Sequence, residues 1–315
     1  MHNPAPSLEL LPHSFFSLSD GGRLRYSQFA PSSPPRGTVL VLPGRREFIE
    51  KKYIEVGKPL LDRGYRILIL EPRNHGLSSR LLTGEKKQRD HMRNFSMFVD
   101  DLRAFYAGVV KPNLTEPLIV HAHSLGAHVA MRWLSEDHPP MAGAFFTAPM
   151  LALFGMAAQK AAYGLSWASV RLLNHETHYA PSQHDFNNED LVFHNNPLTQ
   201  DEPNFRIVQN YFAAHPDLVV GGTTWGWVLA ALRSMDITHN WPYLARIDVP
   251  ILSLVAEHDF VTPAAEIMPY LNQIPGIRTH TLAEARHDIM NETDAIRTEA
   301  WGKIDEFLKQ VTPLS

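Results

Sequence analysis

A serine hydroxyl becomes a useful nucleophile only when a histidine can take its proton and a carboxylate can steady that histidine. The chain carries such a set in three separate segments. Ser124 stands in Leu118-Ile119-Val120-His121-Ala122-His123-Ser124-Leu125-Gly126-Ala127-His128-Val129-Ala130, where an apolar run stops at the serine and small residues follow at once. The pattern approximates G-x-S-x-G, a strained strand-to-helix turn that lifts the serine above a sheet edge. Gly126 meets the demand for a small residue on one side, while Ala122 stands where the pattern has glycine, one methyl larger. A helix starting there aims free N–H groups and a positive dipole end at the serine. The plainer alternative is that Ser124 is the N-cap of an ordinary helix.

The orienting acid should follow the serine in the chain, and the histidine should follow the acid. The apolar run Pro250 to Val255 leads into Ala256-Glu257-His258-Asp259-Phe260-Val261-Thr262-Pro263. An acid just past the end of a parallel strand lies where such sheets place their sites. Asp259 is the better candidate because a loop and helix begin directly behind it; Glu257 is the alternate, and a plain turn or N-cap role is the bland reading. Next, Arg278 to Leu282 reads as a short strand and opens into Ala283-Glu284-Ala285-Arg286-His287-Asp288-Ile289-Met290-Asn291-Glu292. Among 17 histidines, His287 is singled out by its place after the last strand and before a C-terminal helix from Asp294 to Gln310. An oxyanion would need two backbone donors: the N–H of Leu125, after the serine, and one from the loop Val41-Leu42-Pro43-Gly44-Arg45-Arg46, with Arg45 the expected donor. The Arg45 and Arg46 side chains suit either an anionic group such as phosphate or plain solvation.

These residues must be held by a particular framework. Apolar runs at Gly37 to Leu42, Arg66 to Leu70, Pro117 to Ala122, Ala142 to Phe146 and Pro250 to Val255 read as buried parallel strands. Helix-length segments, Ile49 to Arg63, Asn94 to Val110 and Ala127 to Leu134, lie between them. That alternation predicts a doubly wound α/β sheet. It fails from about Pro149 to Ile247, a helix-like tract rich in aromatic residues with loops at Tyr179 to Asn188 and His194 to Asn204. A helical insertion in one α/β domain is expected: core from residues 1–148, helical cap from 149–247, core again from 248–315.

Composition narrows the chemistry further. The 315 residues include 29 Lys and Arg against 33 Asp and Glu and no cysteine. That excludes disulfides, thiolate catalysis and cysteine-ligated metals, and the near-neutral balance gives no reason to expect nucleic acid. Met1 to Ala30 lacks the basic and apolar regions of a secretory signal. The uncharged stretch Met141 to Gln159 contains Gly143, Pro149 and Gly155 and reads as a strand, a break and an apolar helix rather than a membrane span. A cytoplasmic location is expected, peripheral at most to the inner membrane face.

Together these segments resemble the serine α/β-hydrolases of the lysophospholipase and monoacylglycerol lipase group, especially its bacterial lysophospholipase L2-like branch. The resemblance runs from about Phe15 to Leu308. It rests on Leu42-Pro43-Gly44-Arg45, on Glu71-Pro72-Arg73-Asn74-His75-Gly76-Leu77-Ser78 (similar to the family's D-x-R-G-x-G-x-S), on His123-Ser124-Leu125-Gly126, and on the Asp259 and His287 loops. The tracts His194-Asn195-Asn196-Pro197-Leu198-Thr199 and Gly221-Gly222-Thr223-Thr224-Trp225 also look like that branch. Glu71, Asn74 and Ala122 depart from the family pattern, as does Pro43-Gly44 from the His-Gly of the wider superfamily. The resemblance implies an α/β-hydrolase fold with a mostly parallel sheet, helices on both faces and a helical cap. It implies the triad Ser124, Asp259 and His287, and a lipid-like carboxylic ester as substrate, cleaved through an acyl-enzyme without a cofactor. The apolar stretch Met150 to Ala162 would let the cap receive an acyl chain and touch a membrane surface.

Three other readings fit parts of the same sequence. A carboxylesterase, lactonase or perhydrolase would keep the triad and take a small acyl substrate. A metal hydrolase would use His121, His123 and His128, although His128 need not face the same way as the other two. A silent binding protein should have lost a triad residue, and none is missing here.

Overall fold

The computed structural model describes residues 8–153 and 156–312, with the side chains of 156 and 157 left aside. Residues 1–7 of the N-terminal reading, and 154 and 155 of the apolar stretch, lie outside the described residues. The strands are β1 (Ser14–Ser17), β2 (Arg23–Phe29), β3 (Thr38–Leu42), β4 (Arg66–Leu70), β5 (Leu118–His123), β6 (Gly143–Thr147), β7 (Ile251–Ala256) and β8 (Arg278–Leu282). They form one sheet in the order β1-β2-β4-β3-β5-β6-β7-β8. All pairs from β4 to β8 along that order are parallel, and β1 and β2 add an antiparallel edge.

The parallel strands formed by apolar runs lie within a residue of where those runs place them. The antiparallel edge was not anticipated. Arg23-Leu24-Arg25-Tyr26-Ser27-Gln28-Phe29 alternates polar and apolar residues, and its ends are partly exposed. A tight turn at Asp20-Gly21-Gly22 joins the two edge strands: Gly21 has φ 85°, and the Asp20 carboxylate accepts from the Gly22 N–H.

Alternate residues of each inner strand feed two separate cores. Leu40, Leu42, Leu68, Leu70, Val120 and Ala122 face one layer; Val39, Val41, Ile67, Ile69 and Ile119 face the other. The first layer is covered by α3 (Ser96–Phe105), α4 (Leu125–Asp137) and, near the end of the chain, α8 (Ala264–Leu271). The second is covered by α9 (Asp294–Val311) and by a helical stretch made of α1 (Ile49–Lys52), a π-turn at Tyr53–Gly57 and α2 (Lys58–Asp62). Helices on both faces of a mostly parallel sheet agree with the expected class.

Between β6 and β7 the chain leaves the strand–helix rhythm and forms α5 (Met156–Arg171), α6 (Glu202–Ala214) and α7 (Trp225–His239). Side-chain caps start two of them: Asp201 accepts from the Asn204 N–H at 2.9 Å, and Thr224 from the Trp227 N–H at 3.1 Å. The first turn of α6 takes up the last residues of the loop expected at His194 to Asn204. Many of the tract's aromatic residues are packing groups. Tyr211 and Phe212 close on Phe48, and Trp227 meets Phe95 edge to face. Among the described residues, no helix is long and apolar enough to cross a membrane.

Candidate active site

Ser124 sits at the junction of β5 and α4 with φ 48° and ψ −112°, a conformation that L residues rarely adopt. Its backbone is clamped from three directions: its N–H donates to Thr147 O at 3.1 Å, and its carbonyl accepts from the N–H groups of His128 and Met150. Gly126 shows why the turn needs a missing side chain. A Cβ there would lie 2.3 Å from Leu42 O and 2.6 Å from Pro43 O, both immovable backbone atoms. Ala122 points into the buried layer beneath α4, where its methyl is accommodated.

Three side chains from three loops meet here. The Ser124 hydroxyl donates to His287 Nε2 at 3.0 Å, and His287 Nδ1–H donates to Asp259 Oδ2 at 2.7 Å. Asp259 is further fixed by the N–H groups of Val261 and Thr262 at 2.7 and 2.8 Å and by the Thr262 hydroxyl at 2.8 Å. Burial alone would raise the Asp259 carboxyl, but the His287 hydrogen bond and charge, with the Thr262 donors, hold it below the usual carboxylate range. The alternate acid, Glu257, is half exposed and accepts from the Glu284 N–H instead.

The loop after β3 packs directly on this turn. A Cβ on Gly44 would lie 3.3 Å from Ser124 Cβ and 2.7 Å from the His123 ring. Leu125 is the first residue of α4, so its N–H has no intrahelical acceptor. The Arg45 N–H also has no acceptor among the described residues. The two arginine side chains are not simply solvated. Arg45 Nε donates to Asp90 at 2.8 Å and its Nη2 to Gly221 O at 2.7 Å, while Arg46 Nε donates to Val220 O at 2.9 Å.

The three histidines of the elbow diverge rather than gather around a metal. His121 Nδ1 donates to Phe145 O and its ring stacks on Phe145. His123 Nδ1 donates to Thr147, and His128 lies between Met150 O and the Ser234 hydroxyl. Burial pushes the imidazoles of His121 and His128 down to about 3 and that of His123 well below its ordinary value. His123 therefore stays neutral beside His287, whose ring centre is 5.0 Å away.

Sequence reasoning missed a buried charge cluster behind the two loops. Lys51 Nζ lies 2.5 Å from Glu47 Oε1, 2.6 Å from Glu55 Oε1 and 2.7 Å from Asp288 Oδ2. Lys52 contacts the same two glutamates, and Glu47 Oε2 accepts from the Gly44 N–H at 2.5 Å. The cluster thus joins the Gly44 loop to the residue after His287. Lys51, pulled one way by burial and the other by Asp288, Glu47 and Glu55, ends well above its ordinary value, while Glu47, opposed by burial, is held well below by Lys51 and Lys52. In sequence, Lys51, Lys52 and Glu55 carry nothing that separates a buried cluster from an exposed helix face beyond the i, i+4 spacing of Lys51 and Glu55.

The inserted segment reaches the His287 loop and the chain at Asp90. Asp288 N–H donates to Leu198 O at 2.8 Å, and Glu292 accepts from the N–H groups of Arg286 and Gln200. Gly222 O accepts from the Asp90 N–H, and Thr224 N–H donates to Asp90 O. These contacts use the two tracts noted in the sequence, His194 to Thr199 and Gly221 to Trp225. They help enclose a cavity of about 560 Å³ lined by Ser124 and His287 together with Met150, Leu153, Leu191, Val208 and Phe212.

The Glu71 to Ser78 stretch explains its departures. Asn74 has φ 69°, a left-handed conformation that asparagine tolerates better than most residues when glycine is absent. Glu71 reaches Arg25 and the N–H groups of Ile49 and Leu77, and the glycine at 76 leaves space for its carboxylate.

Comparison with known proteins agrees with this architecture. The model of the family described as serine aminopeptidase, S33, matches residues 33–294. Lysophospholipase L2 of Escherichia coli strain K12 is 28% identical over 307 residues, covering 94% of this chain and 86% of that protein. A monoacylglycerol lipase of Mycolicibacterium smegmatis is 30% identical over 121 residues, 38% of this chain and 40% of its own length. Among solved structures, a soluble variant of monoglyceride lipase from Saccharomyces cerevisiae superposes with TM-score 0.74 at 15% identity, covering 98% of this chain and all 100% of that one. The chain belongs to the family described as serine aminopeptidase, S33, has the α/β-hydrolase fold, and is similar to the lysophospholipase and monoacylglycerol lipase group.

Proposed function

We propose that the protein hydrolyses carboxylic esters of lipid-like substrates, a lysophospholipid or a monoacylglycerol, through an acyl-enzyme on Ser124. The observation that carries this reading is the Ser124–His287–Asp259 relay, 3.0 and 2.7 Å long, at the wall of an apolar cavity. His287 Nε2 takes the hydroxyl proton as Ser124 Oγ attacks the acyl carbonyl. Asp259 holds the Nδ1–H tautomer and stabilises the imidazolium. The Leu125 and Arg45 N–H groups receive the oxyanion, a donor of this kind lowering the barrier by about 3–4 kcal/mol. His287 then protonates the leaving alcohol, and a water deprotonated by the same imidazole releases the fatty acid. The chain's own groups and water complete the cycle without a cofactor.

Residues 149–247 serve as the cap in this reading. Leu165, Leu172 and Leu173, exposed at 61, 70 and 58%, give it an apolar outer surface suited to transient contact with a lipid layer. The names of the lysophospholipase and monoacylglycerol lipase relatives support the substrate class.

The test is fatty-acid release from monoacylglycerol and lysophosphatidylcholine, with short p-nitrophenyl esters and Ser124→Ala alongside. Release from a lipid that falls about 10⁴- to 10⁶-fold in the variant is the expected outcome. Turnover of the short esters alone would retain the serine mechanism and remove the lipid assignment. Equal rates for both proteins would remove Ser124 as nucleophile.

A further inference from the structure

Among the described residues, the cavity wall contains one cation with no carboxylate at ion-pair distance. Lys51 is matched by three carboxylates and Arg45 by Asp90. Arg46 lines the same cavity as Ser124 and His287, and its guanidinium lies 5.2 Å above the Phe186 ring. Its Nε is used by Val220 O, but among the described residues its two terminal nitrogens reach no acceptor and no carboxylate comes within ion-pair distance. Burial and the neighbouring Arg45 pull its pKa down to about 10 against a weaker opposite pull from Asp90 and Asp190, and it stays charged at neutral pH.

A charge with no directly paired carboxylate in a partly dry wall is costly, and an anion brought by a ligand would offset that cost. The free edge of a guanidinium presents two parallel donors that match two phosphate oxygens. Asp190, which caps the turn at Asn187 by accepting its N–H, supplies the opposite charge on the same wall. A phosphodiester carrying an ammonium group suits that pair better than a free phosphate dianion.

Building on the lipid-ester reading of the Ser124 site, we propose that Arg46 binds the phosphate of a lysophospholipid, so that the cavity selects this head group over uncharged glycerol. Arg46 is then a specificity residue, distinct from the groups that perform the acyl transfer.

The experiment measures kcat/KM for lysophosphatidylcholine and monoacylglycerol with matched acyl chains, presented below their critical micelle concentrations. Wild type, Arg46→Gln and Arg46→Lys are compared by the ratio of the two values, which cancels any shared loss from misfolding. The ratio should fall on the order of 10- to 100-fold in Arg46→Gln, the worth of a charge-assisted contact, and recover in part in Arg46→Lys. A non-hydrolysable alkyl ether of glycerophosphocholine should weaken similarly as a competitive inhibitor of monoacylglycerol turnover. An unchanged ratio in Arg46→Gln overturns the proposal. Wild-type hydrolysis of monoacylglycerol but not lysophosphatidylcholine overturns it while leaving the lipid-ester reading standing. Wild-type action on short p-nitrophenyl esters alone overturns both.

Discussion

Ser124 occupies a backbone conformation that costs on the order of 1–3 kcal/mol, and the surrounding hydrogen bonds must hold it there. Gly126 is part of that constraint. Gly126→Ala should destabilise the fold by about 1–3 kcal/mol through overpacking, because its Cβ would meet the carbonyl of Leu42 rather than a movable side chain; chemical denaturation reads this directly. Asp259 has a different task. Its carboxylate accepts from four donors and fixes which imidazole nitrogen carries hydrogen. Asp259→Asn should lower kcat by about 10⁴-fold while leaving the unfolding midpoint nearly unmoved, since the side-chain shape is kept. A loss of less than tenfold in ester turnover would show that His287 does not depend on this acid.

The helical stretch from Ile49 to Asp62 covers one face of the sheet and also supplies Lys51 to the cluster behind the site. Lys51→Met would leave Glu47, Glu55 and Asp288 facing one another with Lys52 as the remaining cation of the cluster. Removing one partner of a buried charge set typically costs about 3–5 kcal/mol, so the thermal midpoint should drop markedly. Adding Glu55→Gln should recover part of the loss, because burial and Asp288 already favour the protonated form of Glu55. These elements also show what could be read from the sequence. Of the three residues that the structure brings together, Ser124 and Asp259 each follow an apolar run whose end the parallel sheet fixes, whereas His287 follows the polar strand Arg278–Leu282 and stood out by its place before the last helix. Glu47, Lys51 and Asp288 were not legible, since charged residues carry no sign of burial until distant segments pack on them. Thr262 was hidden for a similar reason: its hydroxyl matters only because the turn after β7 folds it back on Asp259. The edge strand β2 was missed because four of its seven residues are polar.

At the scale of the molecule, the sheet buries imidazoles as well as aliphatic groups. His121 and His128 have values near 3 in the folded protein, against about 6.5 in an unfolded chain. Between those limits the unfolded state binds more protons, so stability falls as the pH drops below about 6.5 and stops falling further near 3. Each histidine contributes about 1.4 kcal/mol per pH unit to that slope. Denaturation measured at several pH values between 7 and 5 should show the decline, and His121→Leu should make it shallower by about that amount. The spacing of the three-residue relay along the chain has another result. Ser124 and His287 are 163 positions apart, with the whole inserted segment between them. At roughly 5–20 residues per second, a ribosome needs about 8–33 s to add the histidine after the serine has been made. In the proposed mechanism the Ser124 hydroxyl stays without its base during that interval, and the relay can close only once His287 has been made.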